Sequence, residues 1–180
     1  SDGLSGRGIN AQCDYEIDRC GWLDVRQVVL VANHDGGVVT QGYDTQLQDT
    51  TIRGGLAAPA TGTEGRGINS QCDSLTGLCG QLTVAHCRIT ETRTAAVTVI
   101  GERAVIRGSV LEATAPRTGD QRAGRGLDVA CDTQADHCDP VLVEDTLIAN
   151  NHAHGVLSTG TELTLRGVTQ PLSADVDVLW

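Results

Sequence analysis

The sequence predicts an all-β solenoid, a parallel β-helix of about six turns, and three observations lead to this prediction. A glycine-rich motif recurs every 59 residues, a shorter pattern recurs every 22 residues, and the apolar spacing is that of short strands. We expect a single domain over residues 1–180, with repeats at approximately 6–64, 65–123 and 124–180. Each repeat would hold two turns, and each turn would stack on its neighbours.

The longer period is set by a Gly-Arg-Gly motif followed by Ile or Leu. Copies of this motif begin 59 residues apart, at Gly6, Gly65 and Gly124. The apolar residues that follow are expected to form one inward stack of Ile9, Ile68 and Leu127. Such a fixed interval is typical of tandem repeats that share one backbone structure.

Within each repeat, the residues at i, i+2, i+5 and i+7 recur 22 positions later. In the first repeat Leu23, Val25, Val28 and Leu30 shift onto Thr45, Leu47, Thr50 and Ile52. This spacing predicts two short alternating strands separated by a bend, because a helix would place apolar residues every three or four positions. Strands this short cannot bury a face alone, so the turns must stack.

The seven cysteines fall into three pairs and one unpaired residue. The paired residues, seven positions apart, are Cys13 with Cys20, Cys72 with Cys79, and Cys131 with Cys138. We expect three local disulfides, each worth about 2.5 kcal/mol on a chain-entropy estimate, and therefore an oxidising compartment. Zinc binding is the alternative, although structural zinc ligands usually lie closer together in sequence. Cys87 occupies an inward position and is expected to be a buried free thiol.

Charge and hydropathy argue against two kinds of partner. The formal net charge is −10, all 13 basic residues are Arg, and no stretch combines Arg with aromatic residues, so nucleic acid is not expected. No apolar run approaches the ~20 residues that a membrane-spanning helix needs. The chain begins with Ser1 and repeats almost to its last residue, which predicts a processed piece of a longer chain. We therefore expect self-association or packing against neighbouring repeats of that chain.

The 22-residue turns resemble those of the right-handed parallel β-helix, or pectate-lyase-like, superfamily. The resemblance covers residues 6 to about 173 and implies a right-handed helix. It leaves the function open, because that architecture hosts lyases, hydrolases, epimerases, adhesins and phage spikes. Ala153-His154-Gly155 matches only part of the Gly-His-Gly element of the polygalacturonase type, and the paired aspartates of that type are missing. No catalytic residue is therefore assigned; if the chain is an enzyme, a polysaccharide lyase or glycoside hydrolase is expected.

Acidic residues and histidines are the remaining candidates for ligand binding. The cysteine loops carry acidic side chains, which in the first and third repeats are Asp14, Glu16, Asp18, Asp132, Asp136 and Asp139. Calcium could use these oxygens, but their spacing is irregular, so solvated loops and no cofactor are expected. His34 and His152 lie in equivalent polar bends and are interpreted as corner residues.

These features predict a non-enzymatic extracellular or cell-surface protein, a segment of a fibre, stalk or adhesin stiffened by repeated disulfides. The absence of Lys beside abundant Gly, Ala, Val and Arg is typical of a high-GC bacterial genome. The alternative is a carbohydrate-active enzyme or carbohydrate-binding module acting on a polysaccharide. For that alternative the best feature is one recurring outward position, occupied by Arg26, Arg107 and Arg166, because guanidinium groups pair bidentately with carboxylates.

Overall fold

The computed structural model describes residues 6–14, 16, 20–57, 65–119 and 121–170, and the backbone alone of 176–179. These residues are all β, and none of them lies in a helix. Their strands form three sheets in which every pairing is parallel. This architecture is compatible with a parallel β-helix.

The three sheets are numbered in the order in which the chain reaches them. Sheet 1 contains, in spatial order, β1 (Ile9–Gln12), β4 (Gly36–Gln41), β7 (Arg66–Gln71), β10 (Ala95–Ile100), β13 (Arg125–Ala130), β16 (Val156–Thr159) and β18 (Val176–Leu179). Sheet 2 contains β2 (Trp22–Arg26), β5 (Asp44–Gln48), β8 (Gln81–Ala85), β11 (Arg103–Arg107), β14 (Val141–Glu144) and β17 (Leu163–Arg166). Sheet 3 contains β3 (Val29–Val31), β6 (Thr51–Arg53), β9 (Arg88–Thr90), β12 (Val110–Glu112) and β15 (Leu147–Ala149).

Each of the first five passages of the chain through the sheets uses three strands, whereas the 22-residue pattern predicts two. The predicted pair corresponds to sheets 2 and 3. Sheet 1, which contains the Gly-Arg-Gly motif, supplies the additional strand. Its register explains why the pattern misses it. Ile9 pairs with Val38 and Val38 with Ile68, so successive strands from β1 to β16 are offset by 29 or 30 positions.

The register in sheet 2 alternates between a short and a long offset. Leu23 pairs with Thr45, 22 positions later, and Thr45 pairs with Leu82, 37 positions later. The longer offset accommodates two insertions: a cysteine loop between sheets 1 and 2, and a second loop between sheets 3 and 1. Both insertions leave the strand pairing parallel and in register.

The core lies between the three sheets and is aliphatic. In the middle of the stack, the side chains predicted to point inwards are fully or almost fully buried, namely Leu82, Val84, Cys87, Ile89, Ala104, Ile106 and Leu111. Each buried Leu or Ile contributes roughly 1.5–3 kcal/mol of transfer free energy. The equivalent residues of the outer strands, including Leu23, Leu30 and Leu163, are only partly buried.

Steric crowding accounts for the glycines of the recurring motif. At Gly65, φ is +88° and an added Cβ would lie 2.9 Å from the Arg93 Cβ atom. At Gly67, an added Cβ would collide with the Cγ2 methyl of Ile89 in the core. The motif therefore marks a place where the backbone of sheet 1 approaches its neighbours too closely for any side chain.

The arginines of the same motif bind side chains on the outer face of sheet 1. The Arg7 Nε atom donates to Asp35 Oδ2 at 2.7 Å, and its Nη1 atom donates to Asn10 Oδ1 at 2.7 Å. In the third repeat the Arg125 Nη1 atom contacts Asp128 Oδ2 at 2.5 Å. These contacts give Arg7 and Arg125 a structural role.

Candidate functional site: the cysteine loops and the buried corner beside them

Each cysteine loop connects sheet 1 to sheet 2 and is closed by a disulfide. The bridges join Cys13 to Cys20, Cys72 to Cys79 and Cys131 to Cys138, with Cα–Cα distances of 4.4, 4.2 and 4.4 Å. Three disulfides in one short chain indicate an oxidising compartment.

The aspartate that follows the first cysteine of each loop shapes that loop. The Asp73 Oδ1 atom accepts hydrogen bonds from the backbone N–H groups of Leu75 (2.9 Å) and Thr76 (3.0 Å). Asp132 Oδ1 likewise accepts from Gln134 N at 2.8 Å and Ala135 N at 3.0 Å. These bonds form Asx turns and occupy one oxygen of each carboxylate.

Metal binding gains no support from the acidic loops. Asp14 makes a similar turn by accepting from Glu16 N at 3.0 Å, whereas Asp18 lies outside the described residues. Within the described part of the chain, no three His, Cys, Asp or Glu side chains are grouped so that they could hold a metal ion.

Glycines in the turn after each cysteine loop form the surface on which the loops pack. At Gly101 φ is +76°, and an added Cβ would lie 2.8 Å from Cys72 Sγ and 2.6 Å from the Asp132 Cβ atom. This corner is therefore enclosed by two successive loops. Gly42 and Gly160 lie 59 residues to either side, and each also meets a cysteine sulfur. These glycines are absent from the predicted sites, although their interval of 59 is a signal in the sequence that could reveal them.

The three predicted glycan-contact arginines all end strands of sheet 2, but they do not form a continuous row. Strands β5 and β8 separate Arg26 from Arg107, and β14 separates Arg107 from Arg166. Arg26 Nε donates to both carboxylate oxygens of Asp24, at 2.8 and 2.9 Å, and Arg166 Nη1 lies 3.5 Å from Glu144 Oε1. The Asp24 carboxylate raises the pKa of Arg26 by this hydrogen bond and by its charge. Glycan binding at these arginines stays a prediction.

An exposed aromatic ring lies at the other end of the same sheet face. Trp22 is 72 % exposed and begins β2. It borders a shallow cavity of about 250 Å³ that is also lined by Asp44, Gln46, Gln81 and Thr83. The Asp44 Oδ1 atom accepts from Gln81 N at 3.0 Å, which leaves its second oxygen facing no partner among the described residues. This site could not be found from the sequence pattern, because the exposure of Trp22 and its proximity to Asp44 and Gln81 appear only in the folded structure.

Cys87 is the free thiol and is buried in the core. Its Sγ atom donates to the Ala85 carbonyl at 3.3 Å. Equivalent hydroxyls make the same contact two residues back in other turns, from Thr50 to Gln48 O (3.0 Å) and from Ser109 to Arg107 O (2.9 Å). Burial raises the pKa of the Cys87 thiol, so its reactive thiolate form is disfavoured.

His34 and His137 take part in hydrogen bonds with backbone groups, His34 through its ring and His137 through its own backbone. His34 Nδ1 lies 2.9 Å from the Ala57 carbonyl oxygen. In the third cysteine loop, backbone hydrogen bonds join His137 and Asp132 in both directions, at 2.8 and 3.0 Å. Both contacts stabilise bends of the chain.

Glu102 is the least exposed acidic residue among the described residues, and it lies outside the cysteine loops. It is 1 % exposed and lies in the corner between β10 and β11, next to Gly101. Its Oε2 atom is hydrogen-bonded to Ser70 Oγ, and its Oε1 atom accepts from Gly80 N at 3.3 Å. Burial raises the pKa of Glu102 to about 7. The sequence analysis does not identify this residue.

No protein-family model, curated protein or solved structure matches this chain. No helix of the described residues is long and apolar enough to cross a membrane. The function is therefore argued from the geometry alone.

Proposed function

We propose that this protein is a non-enzymatic extracellular or cell-surface structural or adhesive protein. Its architecture would be a right-handed parallel β-helix of about six turns, in three repeats of 59 residues with two turns each. It would serve as part of a bacterial fibre, stalk or adhesin whose repeats are stiffened by disulfides. Neighbouring repeats of a longer chain, or other copies of the same chain, are the proposed partners.

The observation that carries this proposal is the repeated packing of cysteine loops on glycine corners. At Gly42, Gly101 and Gly160 an added Cβ would meet a cysteine sulfur, and Gly101 is enclosed by loops on both sides. Each disulfide closes its loop within one turn, and the closed loop then packs on the glycine corner of the next turn. A structural contact that is repeated at a fixed interval is expected in a rigid rod, whereas a catalytic centre is needed only once.

Redox-dependent particle shape tests this function. Native material would be studied by electron microscopy and sedimentation velocity, with and without reductant. We expect extended particles or end-to-end assemblies that loosen when the disulfides are reduced. Compact monomers of unchanged shape under both conditions would contradict the proposal.

Carbohydrate binding is a second candidate, and the exposed Trp22 beside Asp44 and Gln81 favours it. An indole ring offers an apolar face to the C–H groups of a sugar, while the neighbouring carboxylate and amide can bond its hydroxyls. Retention on immobilised neutral β-glucan and on polygalacturonate would be compared for the wild type, Trp22→Ala and a variant with Arg26, Arg107 and Arg166 replaced by Ala. Loss of retention in Trp22→Ala locates binding at the indole. Loss of retention in the arginine variant locates binding at the guanidinium groups. If the wild type is not retained, carbohydrate binding is excluded at both sites.

A further inference from the structure

A chain of buried polar side chains runs from β4 through β7 to the corner that follows β10. Thr40 on β4 donates from Oγ1 to Ser70 Oγ on β7, at 2.9 Å. Ser70 in turn is hydrogen-bonded to the Glu102 carboxylate, which follows β10. Thr40 and Ser70 are both fully buried. The Glu102 carboxyl group is therefore held from three consecutive turns in the interior of the protein.

The same carboxyl group is bonded to the end of a cysteine loop. Gly80 directly follows Cys79, and its N–H group donates to Glu102 Oε1 at 3.3 Å. An added Cβ at Gly80 would collide with the Tyr43 carbonyl group, so the backbone is closely packed there. Glu102 thus connects the closed end of the Cys72–Cys79 loop to the corner of the next turn.

This arrangement is specific to one repeat. The residues 59 positions before and after Glu102 are Tyr43 and Thr161, and those equivalent to Ser70 are Ala11 and Val129. Neither outer repeat can therefore form the same pair of carboxyl and hydroxyl groups. Among the described residues, the buried Asp73 and Asp132 recur with the cysteine loops, whereas the buried Glu102 has no acidic counterpart, which indicates a role beyond repeat stacking.

We infer that Glu102 is a proton-dependent latch, which in its neutral form holds the Cys72–Cys79 loop against the next turn and in its ionised form releases that corner to water. In the neutral form, the carboxyl O–H donates to Ser70 Oγ, and the Ser70 hydroxyl turns to Thr40 Oγ1. No uncompensated charge is then buried. In the ionised form, a carboxylate that is 1 % exposed must be stabilised by a few donors only.

Electrostatic surroundings strengthen this effect. Burial is the main cause that raises the pKa of Glu102 to about 7, and the charge of Asp44 adds to it. Hydrogen bonds from Ser70, Gly80 and Gly42 oppose the shift without cancelling it. The titratable or charged groups on the elements packed around this corner are Asp44, Asp73, Arg103, Asp132, His137 and Asp139.

The direction of the pH effect follows from this shift. Because the pKa is raised from 4.5 to about 7 on folding, the folded protein holds a proton that the unfolded chain releases. The stabilising contribution is complete below pH 4.5 and is lost as the pH rises to about 7. From this group alone, the unfolding equilibrium constant should rise about 80-fold between pH 4.5 and 7, and its whole rise, from well below pH 4.5 to well above pH 7, approaches a limit of about 300-fold.

Glu102→Gln tests the latch, because glutamine has the same shape and cannot ionise. Glu91→Gln is the matched control, since Glu91 lies exposed in a bend and makes no side-chain hydrogen bond within the described residues. Denaturant unfolding of the three proteins would be measured from pH 4.5 to 8.5, together with amide hydrogen exchange of Gly80 and Gly101. We expect the unfolding equilibrium constant of wild type and Glu91→Gln to rise about 150-fold more between pH 4.5 and 8.5 than that of Glu102→Gln, with a matching loss of amide protection.

Equal pH dependence in wild type and Glu102→Gln would overturn the latch. If Glu102→Gln does not fold, the ¹³C chemical shift of the Glu102 carboxyl group in the wild type decides. A midpoint near 7, accompanied by faster exchange of Gly80, supports the inference. A midpoint near 4.5, or a midpoint near 7 with no change at Gly80, contradicts it.

Discussion

The middle repeat and the outer repeats have the same backbone pattern but different packing. Leu82 is fully buried in β8, whereas Leu23, its equivalent 59 residues earlier, is only partly buried in β2. At the other end of sheet 2, Leu165 in β17 is 36 % exposed. Strands β2 and β17 are the edges of this sheet, and β8 lies inside it. Burial in a stacked protein therefore depends on a neighbouring turn on each side as much as on the residue itself.

A second difference concerns polar residues in the interior. The middle repeat buries Glu102 at a position where the outer repeats have Tyr43 and Thr161. Enclosure by turns on both sides makes this position dry enough to shift a carboxyl pKa, and the two neighbouring cysteine loops complete the enclosure. Full enclosure therefore stabilises the middle repeat and also makes its stability depend on the charge of Glu102.

Truncation of equivalent core residues should give the largest difference in stability between the middle repeat and the outer repeats. Leu82→Ala is expected to cost about 3–4 kcal/mol, since it leaves a cavity in a fully packed layer. Leu23→Ala should cost less than about 1.5 kcal/mol, because its side chain already contacts solvent. Denaturant unfolding of the two variants measures both values. Equal losses would mean that the edge turns are packed as tightly as the middle.

Substitution of the glycine corners should give the next largest difference. Gly101→Ala places a Cβ 2.6 Å from the Asp132 Cβ atom at a φ of +76°, and should cost about 3 kcal/mol. Gly160→Ala has a similar φ of +73°, but its nearest contact is Cys131 Sγ at 3.1 Å. Only the backbone cost of about 1–2 kcal/mol is expected there. Thermal unfolding compares the pair, and a larger loss at Gly160 would refute the account of loop packing.

Removal of single disulfides separates chain entropy from packing. The three loops have the same length, so the double replacement of either Cys13 and Cys20 or Cys72 and Cys79 by Ala should cost about 2.5 kcal/mol through loop closure alone. The Cys72–Cys79 loop also packs against Gly42 and Gly101, and its removal should cost more. Calorimetry of both double variants provides the measurement. A smaller loss for the middle loop would contradict this account.

Cys87→Ser should have the smallest effect. Thr50, Ser109 and Thr146 occupy equivalent positions and bond the carbonyl two residues back, so serine can make the same contact. We expect a change of less than about 1 kcal/mol in the free energy of unfolding. In the wild type, the thiol should resist alkylation at pH 8 until the protein unfolds. Rapid labelling of the native protein would show that this position is open to solvent.

The inward residues of sheets 2 and 3 could be predicted because strand alternation and stacking both appear in the sequence at a period of 22. Leu82, Val84 and Ile89 are buried as the pattern predicts. The strands of sheet 1 could not be found in this way, since their offsets of 29 and 30 positions include the loops.

The glycine corners and Glu102 depend on contacts between turns, which no local pattern contains. Gly101 is recognisable only by its interval of 59 from Gly42 and Gly160. Glu102 follows a glycine in a polar bend, where a carboxylate would ordinarily be solvated. Its burial results from Gly80 and Ser70, which belong to the preceding turn.

Amide hydrogen exchange of the native protein should be measured for each turn before and after reduction of the disulfides. This measurement tests most directly whether packing and the cysteine loops make the turns rigid. In this account, a turn that packs against a neighbouring turn on each side, and against cysteine loops at its glycine corner, is rigid. We predict the slowest exchange in β8 to β12, faster exchange in β2, β3 and β17, and a loss of protection around Gly42 and Gly101 when the disulfides are reduced. Uniform protection in all turns that does not change on reduction would contradict the claim.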